Sequence, residues 1–306
     1  MLRPMLHAAA RSTAARSVVE RSPLTRPVVR RFVAGDSVTD AIDTTGALLA
    51  SGRLVTLDHL GEDTTNADQA DTTVRAYQEL LKHLGDKGFT NRAEVSVKLS
   101  AVGQKLDASL AVDNARRICV AAESVGATVT LDMEDHTTTD ATLAVLHELR
   151  QDFPWVGAVL QAYLHRTEGD CRDLATTGSR IRLCKGAYAE PSSVAFTDKS
   201  EVDKSYVRCL KVLMNGAGYP MVASHDPRMI AVAAHLAAET GRDADSFEFQ
   251  MLYGIRPEEQ QRLADEGNRI RVYLPYGTEW YGYFMRRLAE RPANLAFFLR
   301  SLATKG

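Results

Sequence analysis

A short apolar, β-branched run followed by a helical pattern recurs eight times after residue 53, and few folds accept that rhythm. The runs are Leu54–Leu57, Val95–Leu99, Thr128–Met133, Val156–Gln161, Arg180–Cys184, Met221–Ser224, Phe247–Gln250 and Ile270–Tyr273. Helix signals fill the gaps between them. After the second run, Leu110, Ala115, Ile118, Ala122 and Val125 keep one face apolar, and Gly126 follows as a C-terminal cap. After the sixth, Asp226-Pro227 reads as an N-cap with proline at the first helical position. After the seventh, Arg256-Pro257-Glu258-Glu259 opens a helix with acids in the first turn, where the helix dipole favours negative charge, and Gly267 closes it. Eight such units over roughly 250 residues is the arithmetic of a (βα)8 barrel. A doubly wound sheet would want a glycine-rich turn after an early strand, letting backbone approach a phosphate. The first strand instead ends Thr56-Leu57-Asp58-His59-Leu60. The expected fold is α/β: a TIM-type barrel over 53–306, with a basic helical segment at 1–52 packed on it. Within that segment, Asp36 to Ser51 reads as a helix.

The formal net charge of −2 gives no electrostatic case for a nucleic-acid partner. That charge is unevenly spread, since residues 1–35 hold seven arginines and one acid, Glu20. An Arg-rich, acid-poor start is a feature of mitochondrial transit peptides. The run Val28-Val29-Arg30-Arg31-Phe32-Val33 instead looks like structured chain leading into the next helix, so we read a basic segment folded onto the body. Cys119, Cys171, Cys184 and Cys209 lie far apart with no C-x-x-C pair, as expected of buried thiols in a reducing compartment. No apolar run reaches the length of a membrane span. The expected setting is cytoplasmic, with peripheral attachment at the inner membrane as an option ahead of a mitochondrial one.

In a barrel, polar groups at the C-terminal ends of strands point to the active site. Here those ends read Asp58, Lys98 with Ser100, Asp132 with Glu134 and Asp135, Gln161, Lys185 after Arg182, Ser224-His225, Gln250 and Tyr273. One such residue is ordinarily a satisfied polar group or a helix cap; a whole set in register is hard to explain that way. The histidines His59, His136 and His225 stand singly after different strands, which disfavours a metal hydrolase, and no metal site is expected. A Schiff-base lysine, Lys98 or Lys185, stays open on these grounds alone.

The C-terminal segment narrows the choice. Tyr283, Arg286, Arg287 and Glu290 fall at i, i+3, i+4 and i+7, on one face of a helix after the last strand. Adjacent arginines suit a carboxylate, because guanidinium forks match its two oxygens. Tyr273 to Tyr283 carries five aromatic side chains in eleven residues, fit for an enclosed small-molecule pocket.

At these residues the chain resembles the monofunctional bacterial proline dehydrogenases. The motifs are Ser96-Val97-Lys98-Leu99-Ser100, Leu131-Asp132-Met133-Glu134, Leu160-Gln161-Ala162-Tyr163, Arg180 through Cys184-Lys185-Gly186-Ala187-Tyr188, Ala223-Ser224-His225-Asp226, Phe247 through Leu252-Tyr253-Gly254, and Tyr283 through Arg291 into Pro292-Ala293-Asn294. The resemblance implies a distorted barrel with FAD at its mouth. It further implies oxidation of L-proline to Δ1-pyrroline-5-carboxylate by hydride transfer from C5 to flavin N5, with electrons passed to a membrane quinone. Asp132 and Arg182 then match catalytic positions. Lys98, Leu252, Tyr273, Tyr283, Arg286, Arg287 and Glu290 match the substrate site. Met133, Gln161, Arg182, Lys185, Gly186, Ala187, Tyr188, Ser224 and His225 match flavin contacts. Cys184 and Ser224 depart from the valine and threonine common in the family. With no second catalytic domain in these 306 residues, the product is expected to pass to a separate pyrroline-5-carboxylate dehydrogenase. A folate-reducing flavin barrel and a catalytically silent amino-acid sensor are the alternatives.

Overall fold

A computed structural model describes residues 26–290. The basic stretch 1–25 and the motif Arg291 to Asn294 lie outside the described residues. Eight parallel strands close into a barrel in simple sequence order. They are β1 (Leu54–His59), β2 (Ala93–Val97), β3 (Val129–Leu131), β4 (Gly157–Gln161), β5 (Arg180–Cys184), β6 (Tyr219–Ala223), β7 (Glu248–Leu252) and β8 (Ile270–Tyr276). Before them come α1 (Arg26–Val29) and α2 (Val38–Ala50); between and after them run α3 (Ala67–Asp86), α4 (Ala108–Val125), α5 (Thr139–Leu149), α6 (Thr167–Leu174), α7 (Lys199–Asn215), α8 (Pro227–Glu239), α9 (Pro257–Asp265) and α10 (Trp280–Glu290). Among the described residues no helix is long and apolar enough to cross a membrane.

Local chemistry explains the starts. The Asp226 side chain accepts from the Arg228 amide with Pro227 in the first turn of α8, and Asn66, Asp107 and Asp198 cap α3, α4 and α7 in the same manner. Ser37 and Asp40 form a reciprocal capping box on α2. Arg256, before α9, takes the left-handed conformation without capping through its side chain.

Most strand limits shift by one to three residues from expectation, and two of these shifts bear on the cavity. β3 stops at Leu131, two residues early, so Asp132 and Met133 stand just above the ladder, although the Asp132 amide still donates to the Val97 carbonyl at 2.9 Å. β8 runs three residues beyond Tyr273, because its register with β1 continues to His59↔Tyr276. Pro275 lies within this extension and forfeits only one donor. Tyr273 is therefore mid-strand, projecting into the barrel.

Strand residues alternate strictly. Val55, Leu57, Val95, Val97, Val129, Leu131, Ile181, Leu183, Phe249, Met251, Val272 and Leu274 join the apolar core under the helices. The alternate positions Thr56, Glu94, Ser96, Thr130, Arg182, Glu248, Gln250 and Arg271 are buried inside the barrel. A second apolar cluster joins Val28, Val29, Phe32 and Val33 to Leu60, Ile255 and the α10 residues Tyr281, Phe284, Met285 and Leu288. Gly254 (φ +74°) makes this docking possible, since a Cβ there would overlap the Arg31 carbonyl.

Candidate active site

Inside the barrel, charge takes the place of an apolar plug. Glu94 accepts from Thr56 Oγ1 at 2.7 Å and from Arg180, and lies 3.5 Å from Arg182 Nη2 and 3.8 Å from Arg271 Nε. Burial pushes its carboxyl up, but Arg180, Arg271 and Arg182 overcome this and hold it well below the usual glutamate range. Arg271 in turn donates to both Glu248 oxygens at 2.6 and 3.0 Å.

Above this floor sits the reactive layer. Arg182 donates from Nε to Gln250 Oε1 at 2.6 Å and from Nη1 to Ser96 Oγ at 3.1 Å and Asp132 Oδ1 at 2.8 Å. Its guanidinium lies 5.2 Å from the centre of the Tyr273 ring. Asp132 also accepts from Ser96 Oγ at 2.7 Å and from the Tyr273 hydroxyl at 2.6 Å. Lys98 Nζ donates to both Asp58 oxygens at 2.8 and 2.7 Å and stands 3.8 Å from Asp132. Burial alone would lower the lysine pKa; Asp58, Asp132 and Glu62 outweigh it, so the ammonium is held charged above its usual range. Lys185 is also ion-paired, to Asp203 and, at 3.0 Å, to Asp226. A Schiff-base lysine must give up its proton to attack. Paired in this way, neither residue is set up for that chemistry.

A cavity of about 920 Å³ opens above this layer. Its lining brings together Lys98, Asp132, Arg182, Leu252, Tyr273, Tyr283, Arg286 and Arg287 with Met133, Lys185, Gly186, Ala187, Tyr188, Ser224 and His225. Gln161 is not among the lining residues. It is buried, its Nε2 donating to the Glu134 carbonyl at 2.6 Å while Oε1 has no protein partner. Glu290 closes α10, but its side chain lies outside the described residues. The two arginines differ: Arg286 grips Glu62 (2.8 Å) and is one-third exposed, whereas Arg287 is buried, with its guanidinium 4.9 Å from the Tyr283 ring centre.

Part of this lining is built for close approach. Gly186 has φ +107°, and a Cβ there would collide with the Tyr163 ring, so bare backbone faces the cavity. His225 Nε2 accepts from the Leu252 amide at 2.9 Å, which assigns its proton to Nδ1. Ser224 Oγ accepts from the Asp226 amide at 3.1 Å. Cys184 also lines the cavity, but burial pushes its thiol up to about 11, so it is not a thiolate at neutral pH. The acidic triple after β3 disperses to separate partners: Asp132 to Arg182 and Tyr273, Glu134 to Ser100, and Asp135 to the Thr137 amide.

Sequence reasoning assigned no role to Glu62 or Glu94. Glu62 meets Arg286 across 224 residues, and no local pattern announces it. Glu94 did carry a signal, the polar-apolar alternation of Ala93-Glu94-Val95-Ser96-Val97, one residue before the expected strand start.

Known proteins share this architecture. Residues 41–300 match the proline dehydrogenase family. The chain is 41% identical over 281 residues to proline dehydrogenase 1 of Bacillus subtilis (strain 168), covering 92% of each chain. It is 42% identical over 280 residues to the proline dehydrogenase of Deinococcus radiodurans, covering 90% of each. Among solved structures, proline utilization A (PutA) from Bdellovibrio bacteriovorus, inactivated by N-propargylglycine, aligns with a TM-score of 0.80 at 25% identity over 90% of this chain and 33% of that one. Matched over most of its length by the family and by relatives of its own size, the chain belongs to the proline dehydrogenase family and is an enzyme of that kind.

Proposed function

We propose that the cavity holds FAD against the wall of Met133, Lys185–Tyr188, Ser224 and His225, and L-proline against Tyr273, Leu252 and the arginine pair. The observation that carries this reading is the joining, in one cavity, of a bare-backbone stretch and a partly buried Arg182–Asp132–Tyr273 network. A volume of about 920 Å³ suits a large cofactor with a small substrate, near the upper end of ligand pockets. Bound there, a flavin would supply the acceptor, at N5, for the hydride leaving proline C5, and a quinone would take the electrons onward. The product, Δ1-pyrroline-5-carboxylate, passes to a separate dehydrogenase.

The protein's own contribution is positioning and charge. Arg287 and Arg286 bind the substrate carboxylate and so turn the ring; for Arg286 this means sharing its guanidinium between Glu62 and the substrate. Tyr273 is held upright by Asp132 and forms the ring wall. Arg182, fixed on three sides, presents positive charge to the reduced cofactor. Lys98, kept cationic by Asp58, fixes the charge around Asp132 without accepting a proton.

The test is the visible spectrum of the purified protein before and after addition of L-proline. A yellow protein that bleaches with proline is expected; a colourless one, or one indifferent to proline, overturns the proposal. The substrate ammonium must lose its proton before the amine lone pair can assist, so kcat/KM is expected to rise from pH 6 to 9. A flat or falling profile contradicts that step.

A further inference from the structure

The loop between β5 and α7 supplies Lys185 to Tyr188 to the cavity wall. Both its ends are fastened to the chain following β4. The Tyr163 amide donates to the Lys185 carbonyl at 2.9 Å, the Phe196 amide to the Tyr163 carbonyl at 2.7 Å, and the His165 amide to the Val194 carbonyl at 2.9 Å. Between these fastenings Glu190 ties the loop to a different one. Its side chain, 4% exposed, accepts from the His136 amide at 3.0 Å and the Tyr163 hydroxyl at 3.2 Å, and pairs with His136 Nδ1. The ring of that same Tyr163 lies directly under Gly186.

Neither Glu190, His136 nor Tyr163 lines the cavity. A carboxylate is expensive to bury, and is retained only where donors meet it. Here the donors come from the segments after β3 and β4, so three βα loops converge on one side chain.

We propose that Glu190 is a positioning residue for the cofactor. By anchoring the Tyr163 hydroxyl and the His136 amide, it holds the tyrosine ring under Gly186. The ring fixes the backbone of Lys185 to Tyr188 in the shape that receives the flavin. Glu190 acts through Tyr163 and touches neither cofactor nor substrate. This rests on the flavin reading above and extends it from the wall to the support behind the wall, where a site's precision is set.

The experiment measures flavin release from the full-length holoenzyme, diluted stepwise while free-flavin fluorescence returns, together with KM for proline at saturating FAD. In Glu190→Ala the Kd for FAD is expected to rise about ten- to a hundredfold, with KM for proline within about twofold of wild type. Glu190→Gln keeps the single oxygen that accepts from both the His136 amide and the Tyr163 hydroxyl, and is expected to recover most of that affinity. Tyr163→Phe keeps the ring but frees it from its anchor, and is expected to lose a few-fold. Unchanged FAD affinity in Glu190→Ala overturns the proposal, as does a rise in proline KM equal to the loss of flavin. If Glu190→Ala fails to fold, Tyr163→Phe decides, and wild-type flavin affinity there overturns it. Wild-type protein that carries no FAD would sink the flavin reading itself, visibly and before any variant is made.

Discussion

The two faces of the barrel strands are built from opposite materials. The outward face is apolar almost throughout, His59 at the end of β1 aside, and meets helices such as α3, whose Leu80, Leu81 and Leu84 are fully buried. The inward face carries Glu94, Arg182, Glu248 and Arg271, all buried and all charged, at positions where leucine and valine usually stand. Hydrophobic burial is non-directional, so the shell can hold the fold without fixing any atom closely. Ion pairs are directional, and burying them gains little stability over apolar packing. The difference teaches a division of labour: the shell supplies stability, while the interior spends it on orientation, one layer of charge holding the next in place from Glu94 up to Asp132.

Removing an interior member should break this arrangement most severely. Glu94→Ala leaves Arg180, Arg182 and Arg271 short of a buried counter-charge, and a broken buried pair costs about 3–5 kcal/mol. Urea unfolding should report that loss, and kcat should fall with it, because Arg182 loses part of its support. A pH series sharpens the point. Because the folded-state pKa of Glu94 is depressed, its contribution is complete above the ordinary glutamate range and drains away as pH falls below roughly 4. Glu94→Gln should therefore show a flatter acid limb of stability than wild type; parallel limbs would mean the carboxylate is not held by the arginines.

The shell should respond differently. Leu80→Ala removes a fully buried side chain from α3, with an expected loss of about 2–5 kcal/mol, yet KM and kcat below the melting range should stay near wild type. A shell variant that altered KM as strongly as stability would erase the distinction between the faces.

Smaller effects are expected at the cavity wall. Losing a charge-assisted bond to a carboxylate costs about 1.5–3 kcal/mol, so Arg286→Ala or Arg287→Ala should raise KM for proline about ten- to a hundredfold with flavin still bound. Unchanged constants in both would remove the pair from the substrate site. The smallest difference is between ligands. A hydroxyl at C4 of the ring would crowd Tyr273, whose own hydroxyl is committed to Asp132, and an unpaired buried polar group costs about 1–3 kcal/mol. Proline should be preferred over trans-4-hydroxy-L-proline by about ten- to a hundredfold in kcat/KM, and Tyr273→Ser should narrow that gap chiefly by harming proline turnover. Equal values for wild type would mean that Tyr273 does not line the ring.

What was legible in the sequence follows from the same contrast. The outward face obeys the simplest rule, apolar inside, and all eight strands could be read from it. The groups Asp58, Lys98 and Asp132 at strand ends could be read because a barrel aims such residues at one place, and Tyr273, read as a strand end, joins them from the middle of β8. Glu94 and Glu62 were given no part, since their partners Arg180, Arg271 and Arg286 lie far along the chain and a charged residue ordinarily reads as a solvated one. Glu190 escaped for a related reason, being a loop acid whose meaning depends on two other loops. β8 was expected to end at Tyr273 and runs on through Pro275, because its pairing with β1 continues to Tyr276.

The seat of the segment at Val28–Val33 is made from Leu60, Ile255 and α10, and it depends on the bare Gly254 beside Arg31. On the ribosome that stretch is made long before its docking surface, which is complete only when the chain has been made as far as Leu288. Such long sequence separation slows folding and leaves apolar surface uncovered in the interim. A segment made before every strand of the barrel is therefore among the last to settle, and when it does, it closes over the back of the same helix that carries both arginines.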